Sequence, residues 1–441
     1  MVGSFVTDAL VVVVVLGIMI FIHEAGHFMA AKAFGVRVLV FSLGFGNTLL
    51  HFKRGETDYR ISALPFGGYV KMAGDDPSEV RQGEKGEFLS EPRWKRFIIV
   101  VMGPAMNILL SVALLTGLYK FHFQRPAYLE QAARIGDVES GSPAAQAKIQ
   151  TGDLIVRLGA QANPKWEDVD YKILTSANEP IPLEIEHNGE TVNTAITPIA
   201  KGPNRAGYVG WDPVALGILE GVEAGLPASK AGLKPGDEIV GINGHKVYYF
   251  PSVALAIQKG NGKPVTFDVI RAGKEFQVTV QPTYGEIMGE KRWRVGFWFH
   301  NGMVVRQLPW GQALKASLED NARNCLVTVD VLGKILTRRM SARSLSGPIG
   351  IAQISGEAYR AGIPDLLLLI SFISLQLGIF NLLPIPVLDG GVILLLLVEG
   401  LLGHDLSLQV KERFVQVGIV FLLLLAAFVM YNDLVKTLRP Y

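Results

Sequence analysis

The sequence predicts a polytopic α-helical membrane protein with four transmembrane helices, a membrane-associated β-hairpin region and two inserted extracytoplasmic α+β domains. Three observations predict this fold class. Four long apolar segments approach or reach the length that crosses a bilayer, and the stretch between the first two is rich in strand formers. A block of sequence in the long central insert occurs twice.

The composition favours a membrane protein. Of the 441 residues, 49% are hydrophobic, and the mean hydropathy is +0.30. The formal net charge is only +2, and no basic stripe interleaved with aromatics is present, which argues against nucleic acid as a partner. The only cysteine, Cys325, permits neither an intrachain disulfide nor a cysteine-rich zinc module. We therefore expect the lipid bilayer, and no nucleic acid, among the partners.

Four segments are predicted to cross the membrane. The first lies within residues 1–35 and contains fourteen consecutive residues without a charge. The second, residues 97–119, and the third, within residues 366–399, each contain twenty-three such residues. The fourth, within residues 414–434, contains nineteen. A helix of about 20 residues spans a bilayer, so each segment is a candidate span.

The charges between the spans predict the orientation. Residues 28–96 carry eleven Lys and Arg, whereas residues 1–27 carry none, so the first connection is expected on the cytoplasmic side. With four spans, both termini and the long insert are then extracytoplasmic. Because no basic region precedes the first span, we expect it to be a retained anchor and not a cleaved signal peptide.

Residues 36–96 are predicted to form a cytoplasmic-side, membrane-associated β region followed by a loop. Strand formers dominate VRVLVFSLGFGNTLL and HFKRGETDYRIS, with Gly44, Gly46 and Gly55 as breakers. An exposed strand edge in this region could receive an extended segment of another chain. Structural packing is the alternative role for this region.

The insert contains a duplicated segment. The twenty-three residues from Glu139 align without a gap to those from Glu223, with nine identities at an offset of 84 residues. At the same offset, LEIEHNGE aligns with FDVIRAGK, and each reads as a strand that enters a short hairpin. Two domains of one fold are therefore predicted, at residues 126–203 and 204–290.

The repeated pattern SPAxxAxxxxGDxIV resembles PDZ domains of the bacterial, circularly permuted kind. The second copy, with Pro235-Gly236-Asp237, matches better than the first, with Thr151-Gly152-Asp153. PDZ domains add an extended peptide to a sheet edge, so the resemblance implies a peptide or substrate tail as a partner of these PDZ-like domains. Two spacers without a ligand are the alternative, since a fold alone does not establish a function.

Residues 305–362 are predicted to form an amphipathic connector. From Trp310 onward, apolar residues recur at helical spacing with charges between them. Such a helix would lie next to the membrane. The pattern is compatible with a coupling role and with a passive connection.

The first apolar segment ends in the motif His23-Glu24-Ala25-Gly26-His27. Histidines at i and i+4 share one face of a helix, with Cβ atoms about 5–6 Å apart, which suits a shared zinc ion. Glu24 could take a proton from an attacking water and return it to the leaving amine. Ionisable groups at membrane depth are costly and usually functional, although histidines that snorkel at a helix end are the alternative.

A catalytic zinc usually has three protein ligands, and we predict Asp389 as the third. It follows twenty-three uncharged residues and precedes another apolar run, so a metal would offset the cost of its isolated charge. Glu399 and His404 are the other candidates nearby, and a plain Asp-Gly turn is the alternative for Asp389. With an open fourth position, this ligand set predicts one zinc ion per chain.

The third span should be broken by two prolines. Pro384 and Pro386 each lack an amide donor and disrupt the preceding helical turn. Irregular backbone at membrane depth is tolerated where it lines protein or water, which suits a substrate site. Asn381 could donate a hydrogen bond to the substrate or to the developing oxyanion, or it could bind the carbonyls that the prolines free.

These motifs together resemble the site-2 protease family of intramembrane zinc metalloproteases. The resemblance covers nearly the whole chain, including both PDZ-like domains, and it rests on His23-Glu24-x-x-His27 and Asn381-x-x-Pro384-x-Pro386-x-x-Asp389-Gly390. It implies zinc at His23, His27 and Asp389 with Glu24 as the catalytic base, in agreement with the residues themselves.

The resemblance also implies a location and a substrate class. Members act in the bacterial inner membrane on single-span transmembrane proteins already shortened by another protease, including anti-sigma factors, and on remnant signal peptides. It supports substrate binding at Gly44, Phe45 and Gly46, and it favours the two inserted domains as a filter against bulky ectodomains. Gly103-Pro104-x-x-Asn107 also resembles a family pattern, which helix packing explains adequately.

The sequence thus predicts an intramembrane zinc endopeptidase. A catalytically silent PDZ-bearing membrane scaffold is the alternative from another class, and metal content would separate the two. A metal transporter should carry polar residues in several spans, but the second and fourth offer few beyond hydroxyls, with Asn107 and Gln416 in their interiors.

Overall fold

The computed structural model describes most of the chain. The described residues are 2–75, 84–121, 123–202, 206–215, 217–287, 290–299, 303–337, 339–340 and 347–438. The predicted boundary between the two inserted domains, at residues 203 and 204, lies outside the described residues. So do residues 76–83 of the predicted β region and loop, and residues 341–346 of the predicted connector.

The helices of the described part of the chain are α1 (Val2–Ala33), α2 (Arg93–Phe121), α3 (Pro143–Gln146), α4 (Trp166–Thr175), α5 (Pro227–Lys230), α6 (Pro251–Lys259), α7 (Trp310–Leu336), α8 (Pro348–Ala361), α9 (Ile363–Asn381), α10 (Asp389–Leu402) and α11 (Leu408–Leu438).

The strands are β1 (Val38–Arg54), β2 (Thr57–Met72), β3 (Phe123–Pro126), β4 (Ile135–Val138), β5 (Leu154–Leu158), β6 (Gln161–Ala162), β7 (Ile181–His187), β8 (Glu190–Ile196), β9 (Ile199–Lys201), β10 (Ala206–Tyr208), β11 (Trp211–Pro213), β12 (Gly217–Val222), β13 (Glu238–Ile242), β14 (His245–Lys246), β15 (Val265–Arg271), β16 (Lys274–Val280), β17 (Thr283–Ile287), β18 (Glu290–Arg294), β19 (Phe297–Phe299) and β20 (Met303–Arg306).

The chain divides into two compact units. The first comprises Met1–Phe123, Arg306–Gly333 and Leu345–Tyr441, and the second comprises Gln124–Val305 and Lys334–Ser344. The first unit contains the long apolar helices and the β1–β2 sheet.

Among the described residues, four helices are long and apolar enough to cross a membrane. They are Leu10–Ala33 of α1, α2, α9 and Leu408–Val435 of α11. Their most apolar windows have mean hydropathies of 2.0 to 2.5. This agrees with the four predicted spans. The third ends at Asn381, before the two prolines, because proline cannot continue the ladder of helical hydrogen bonds.

Helix α2 lies at the centre of the helical unit. It approaches α1 closely at Gly26, where a Cβ atom would lie 2.2 Å from the carbonyl oxygen of Met102, so the contact requires glycine. On α7, within the predicted connector, Asn321 accepts a hydrogen bond of 2.6 Å from Ser111 of α2. Ser317 of α7 donates one of 2.9 Å to the carbonyl of Val112. These two polar residues of α7 therefore pack against protein.

Strands β1 and β2 fold back on each other to give four paired segments. Tyr59 pairs with both Phe41 and Phe52, and Phe41 pairs also with Val70. The order across the sheet is therefore 68–72, 38–43, 57–62, 48–54. Gly44 adopts a φ of +86° where β1 bends, in the left-handed region that favours glycine.

In this order the outermost segments of the described sheet are 68–72 and 48–54. The second edge exposes Leu49, Leu50 and Phe52, with 65%, 67% and 63% of each side chain accessible. Such apolar exposure fits the predicted association with a membrane, which remains a prediction.

The second unit contains the sequence repeat as a structural repeat. Strands β5, β6, β7 and β8 recur as β13, β14, β15 and β16, each displaced by 84 residues, with β5–β6, β5–β7 and β7–β8 pairing repeated. Each copy has its own core, built around Trp166 in the first and Phe267 in the second. The duplication inferred from the sequence is therefore present in the fold.

A buried aspartate anchors each copy at the same offset. Asp237 is fully buried and accepts hydrogen bonds from Arg271 Nε at 2.6 Å and Nη2 at 2.7 Å. Asp153, in the first copy, accepts one from His187 Nδ1 at 2.5 Å. Burial alone would raise the pKa of Asp237, but the hydrogen bonds from Arg271 and the Lys234 amide outweigh burial and lower that pKa.

We predict that Arg271→Met destabilises the second copy by roughly 1–3 kcal/mol, because it leaves a buried carboxylate without its cationic partner. Since the folded pKa of Asp237 is lowered, its contribution is present above the unfolded pKa, about 4, and is lost as the pH falls through the folded value. Hydrogen exchange of residues 217–280 in the full-length protein measures both effects.

The matched control is Arg157→Met. Arg157 pairs with Glu184 on the surface, where 47% and 35% of the two side chains are exposed. Loss of such a pair should cost the first copy less than about 1 kcal/mol, measured by hydrogen exchange of residues 133–196. Equal loss of protection in the two variants would contradict the prediction.

Candidate metal centre

The two histidines of the first span face the same point. His23 and His27 lie one turn apart on α1 and are 8% and 9% exposed. Their Nε2 atoms are 3.3 Å apart, and the rings meet edge to face. The i, i+4 spacing predicted this arrangement, since such residues share one face of a helix.

Asp389 joins the histidines from the other end of the chain. It is the first residue of α10, and its Oδ2 lies 3.1 Å from His23 Nε2 while its Oδ1 lies 3.5 Å from His27 Nε2. Ligand atoms of all three residues lie within 4.8 Å of one another. No other group of three such side chains is found among the described residues.

The other candidate third ligands lie elsewhere. Glu399 is buried near the opposite end of α10, where it pairs with Lys411 at 2.6 Å and lies 3.9 Å from Arg96. His404 is exposed and contacts the backbone carbonyl of Asp405. Of the three candidates raised by the sequence, only Asp389 is brought to the histidine pair.

The loop between α9 and α10 places Asp389. Gly390 and Gly391 let the loop fold back over the start of α10, because a Cβ there would lie 2.1 Å from the Leu383 carbonyl oxygen or 2.4 Å from that of Ile385. Val387 has a φ of +79°, which is strained for a β-branched residue and costs about 1–3 kcal/mol. The loop is therefore held in one conformation by its surroundings.

The last span braces the same loop. A Cβ atom at Gly418 of α11 would lie 2.3 Å from the Cβ of Pro386 and 2.7 Å from its carbonyl oxygen. Gly418 is buried, although most of its neighbours on α11 are exposed. The predicted break at the prolines thus also serves as a contact site for the fourth span.

Helix α2 holds His27 through its backbone. His27 Nδ1 lies 2.9 Å from the carbonyl oxygen of Ile99, to which it donates a hydrogen bond. A Cβ atom at Gly103 would lie only 2.2 Å from His27 Nε2. Glycine is therefore required for the imidazole to occupy its position.

These residues fit a zinc ion. With Nδ1 of His27 committed to a carbonyl, the lone pair of Nε2 is free and directed at Asp389. Two imidazole nitrogens and one carboxylate at a single point match a catalytic zinc site with an open position. A cation would also balance the Asp389 charge at membrane depth.

A cleft of about 550 Å³ opens beside the three residues. Its lining includes Glu24, Phe45 and Asn381, together with residues 67–70 and Met72 of strand β2. The strand comes close to the acid, since a Cβ at Gly68 would lie 3.1 Å from Glu24 Cγ. The outer segment 68–72 of the sheet therefore borders the candidate site.

The predicted substrate residues are only partly found in this cleft. Phe45 and Asn381 line it, whereas Gly44, Gly46, Pro384 and Pro386 are absent from its lining. Gly44 and Gly46 bend β1, and the prolines shape the loop.

Two features near the metal centre went unrecognised in the sequence. The edge at 68–72 has only the Gly67-Gly68 pair as a signal in the sequence, and a helix-packing role for Gly103 does not predict its contact with His27.

Comparison with known proteins identifies the family. The model of peptidase family M50 matches residues 11–425. The chain belongs to peptidase family M50, the site-2 proteases. As a member of this family it is a zinc metalloprotease.

Relatives match this M50 peptidase along nearly its whole length. A putative zinc metalloprotease of Neisseria meningitidis is 31% identical over 96% of this chain and 97% of its own. The Yersinia pestis protein named Protease RseP is 31% identical with the same coverage. A PDZ-domain structure of an SdrC-like protein from Listeria monocytogenes covers 20% of the chain, with 18% identity and a TM-score of 0.18, which is too low to support a conclusion.

We predict that Gly103→Ala in this M50 peptidase weakens zinc binding about 10- to 100-fold, because the added methyl group displaces the His27 ring. Competition with a zinc chelator measures the affinity. The matched control is Gly117→Ala on the same helix, where a Cβ meets nothing within 4 Å. Equal zinc affinity in the two variants would show that the ring does not depend on the space at Gly103.

Proposed function

We propose that this M50 peptidase is an intramembrane endopeptidase that cuts the transmembrane segment of pre-trimmed single-span proteins. One zinc ion per chain would be held by His23, His27 and Asp389. The observation that carries the proposal is the convergence of these three side chains, from the first and third predicted spans, beside Glu24 in a cleft among apolar helices. Such groups at membrane depth point to a functional site.

Glu24 and Asn381 would have separate roles in the hydrolysis of the peptide bond. When bound, zinc supplies Lewis acidity toward the scissile carbonyl and makes a water easier to deprotonate. Glu24 takes one proton from the attacking water at a carboxylate oxygen and delivers it to the leaving nitrogen as the peptide C–N bond breaks. Asn381 donates its amide N–H to the substrate carbonyl or to the developing oxyanion. The lining of the cleft by both residues supports these roles.

Strand β2 would hold the substrate. A transmembrane helix must open its hydrogen bonds before a peptide bond is accessible, and a free strand edge offers replacement partners. The segment 68–70 is outermost in the described sheet and borders the cleft at Glu24. The Phe45 ring stacks with Tyr69 at a centroid distance of 6.0 Å and would form one side of this substrate-binding edge. Gly44 and Gly46 would act only by bending β1.

The physiological role is proposed as regulated intramembrane proteolysis. The relative from Yersinia pestis is named Protease RseP, and a relative from Escherichia coli is named Regulator of sigma-E protease RseP. By analogy, the substrates would be anti-sigma factors and remnant signal peptides in a bacterial inner membrane. The duplicated domains would be two PDZ-like domains outside the cytoplasm, binding a substrate tail or excluding bulky ectodomains.

Glu24→Gln should keep zinc bound but lower the cleavage rate by at least about 10²- to 10⁴-fold, because it removes the base and no ligand. His27→Ala and Asp389→Ala should lose both zinc and activity. Zinc content per chain and the cleavage rate of a single-span reporter measure the two effects. Asp365→Asn, an exposed carboxylate at the start of α9, is the control and should change neither.

Two results would count against the proposal. Normal cleavage by the Glu24→Gln protein would exclude Glu24 as the base. Full zinc content in both the His27→Ala and the Asp389→Ala protein would exclude this metal site and would favour the alternative of a catalytically silent scaffold.

A photo-crosslinking amino acid at Tyr69 should capture the reporter in the Glu24→Gln protein, since residue 69 lies on the strand edge that lines the cleft. The same probe at Leu50, which is 67% exposed on the opposite edge, should capture far less. Mass spectrometry of the adducts locates the contact in the substrate. Equal capture at both positions would contradict binding at the 68–72 edge.

A further inference from the structure

The second nitrogen of His23 has a side-chain partner. Asn107 of α2 is completely buried, and its amide nitrogen Nδ2 is placed 3.1 Å from His23 Nδ1. Helix α9 fixes Asn107 from the other side, because Ser374 donates a hydrogen bond of 2.8 Å to its backbone carbonyl. A Cβ at Gly378 would lie 3.6 Å from the Asn107 Cβ, so α9 packs directly against this residue. Asn107 therefore has little freedom to move away from His23.

The two histidines are thus held by different means. His27 Nδ1 is held by the backbone carbonyl of Ile99, a partner that no side-chain substitution removes. His23 Nδ1 depends on the side chain of Asn107. A mutation can therefore release His23 while the hydrogen bond of His27 stays intact.

The imidazole determines how the amide must be oriented. His23 Nε2 faces Asp389 Oδ2 at 3.1 Å and His27 Nε2 at 3.3 Å, so it is the nitrogen directed at the metal position. A neutral imidazole that ligates through Nε2 carries its proton on Nδ1 and needs an acceptor there. Asn107 Oδ1 is buried and has no hydrogen-bond partner among the described residues. Amide oxygen and nitrogen are assigned from the hydrogen-bond network, so the proton on His23 Nδ1 requires the two to be exchanged, which places Oδ1 against Nδ1.

We propose that Asn107 is a positioning residue for the metal centre, with its Oδ1 accepting a hydrogen bond from His23 Nδ1–H. This bond selects the imidazole tautomer whose Nε2 lone pair points at the metal, and it fixes the ring plane. The inference rests on the proposed zinc site. It assigns to Gly103-Pro104-x-x-Asn107 a role in the site beyond helix packing.

Two substitutions separate this role from a purely structural one. Asn107→Leu keeps the shape of the side chain but removes the acceptor. Asn107→Asp offers only acceptor oxygens, so it retains the proposed hydrogen bond and loses the amide donor. Ser111→Ala, one turn along α2, is the matched control, since Ser111 is also fully buried and hydrogen-bonded to Asn321 and Ser371 but does not contact His23.

The experiment uses the full-length protein in detergent, with size-exclusion profile and thermal midpoint as checks of folding. Zinc affinity is measured by chelator competition, and cobalt substitution reports the ligand geometry through its visible spectrum. Asn107→Leu should bind zinc about 10- to 100-fold more weakly, with an altered cobalt spectrum. Asn107→Asp and Ser111→Ala should stay within about threefold of the unmodified protein, a small shift beside the 10- to 100-fold loss. Asn107→Ala replaces the leucine variant if leucine prevents folding.

Each outcome has one meaning. Unchanged zinc affinity and cobalt spectrum in the leucine or alanine variant would overturn the proposal. Equal weakening in folded Asn107→Leu and Asn107→Asp would overturn the acceptor assignment and with it the proposal. His23→Ala is the reference: if it retains full zinc affinity, the proposed metal site itself fails, whatever Asn107 does.

Discussion

The cost of placing ionisable groups among apolar helices is the constraint on which the structure depends. His23 and His27 are buried and Asp389 is largely buried among apolar helices, where an isolated charge is strongly unfavourable. Their mutual contacts, and the cation they are suited to hold, offset that cost only if all three meet at one point. The fold must therefore bring residue 389 to within hydrogen-bond distance of residue 23.

Close backbone approaches make this meeting possible. Gly26 lets α1 touch α2, Gly103 leaves room for the His27 ring, and Gly390 lets the proline-broken loop fold over the start of α10. Small residues are the usual means of tight packing between membrane helices, where no hydrophobic force drives association. Here they also determine the position of the proposed metal ligands, so the same glycines set both the packing and the geometry of the candidate site.

The sequence predicted what depends on local pattern and left open what depends on distant contacts. The histidine pair follows from helical spacing, Asp389 from its isolation in an apolar run, and the duplication from an 84-residue offset. The pairing of β1 and β2 could not be predicted, because the hairpin folds back on itself and Phe41 then pairs with both Tyr59 and Val70. The sequence indicates only a packing role for Asn107, since nothing in a single helix shows that this residue faces His23.

Zinc K-edge X-ray absorption of the full-length protein tests most directly whether His23, His27 and Asp389 hold one zinc ion. We expect a first shell of nitrogen and oxygen at about 2.0–2.2 Å, with the outer-shell scattering of two imidazoles. The number of imidazoles should fall to one in His23→Ala protein that is loaded with excess zinc. We expect no sulfur, although Cys325 is available in the chain. A sulfur shell near 2.3 Å, or an imidazole count that the His23 substitution leaves unchanged, would contradict this assignment.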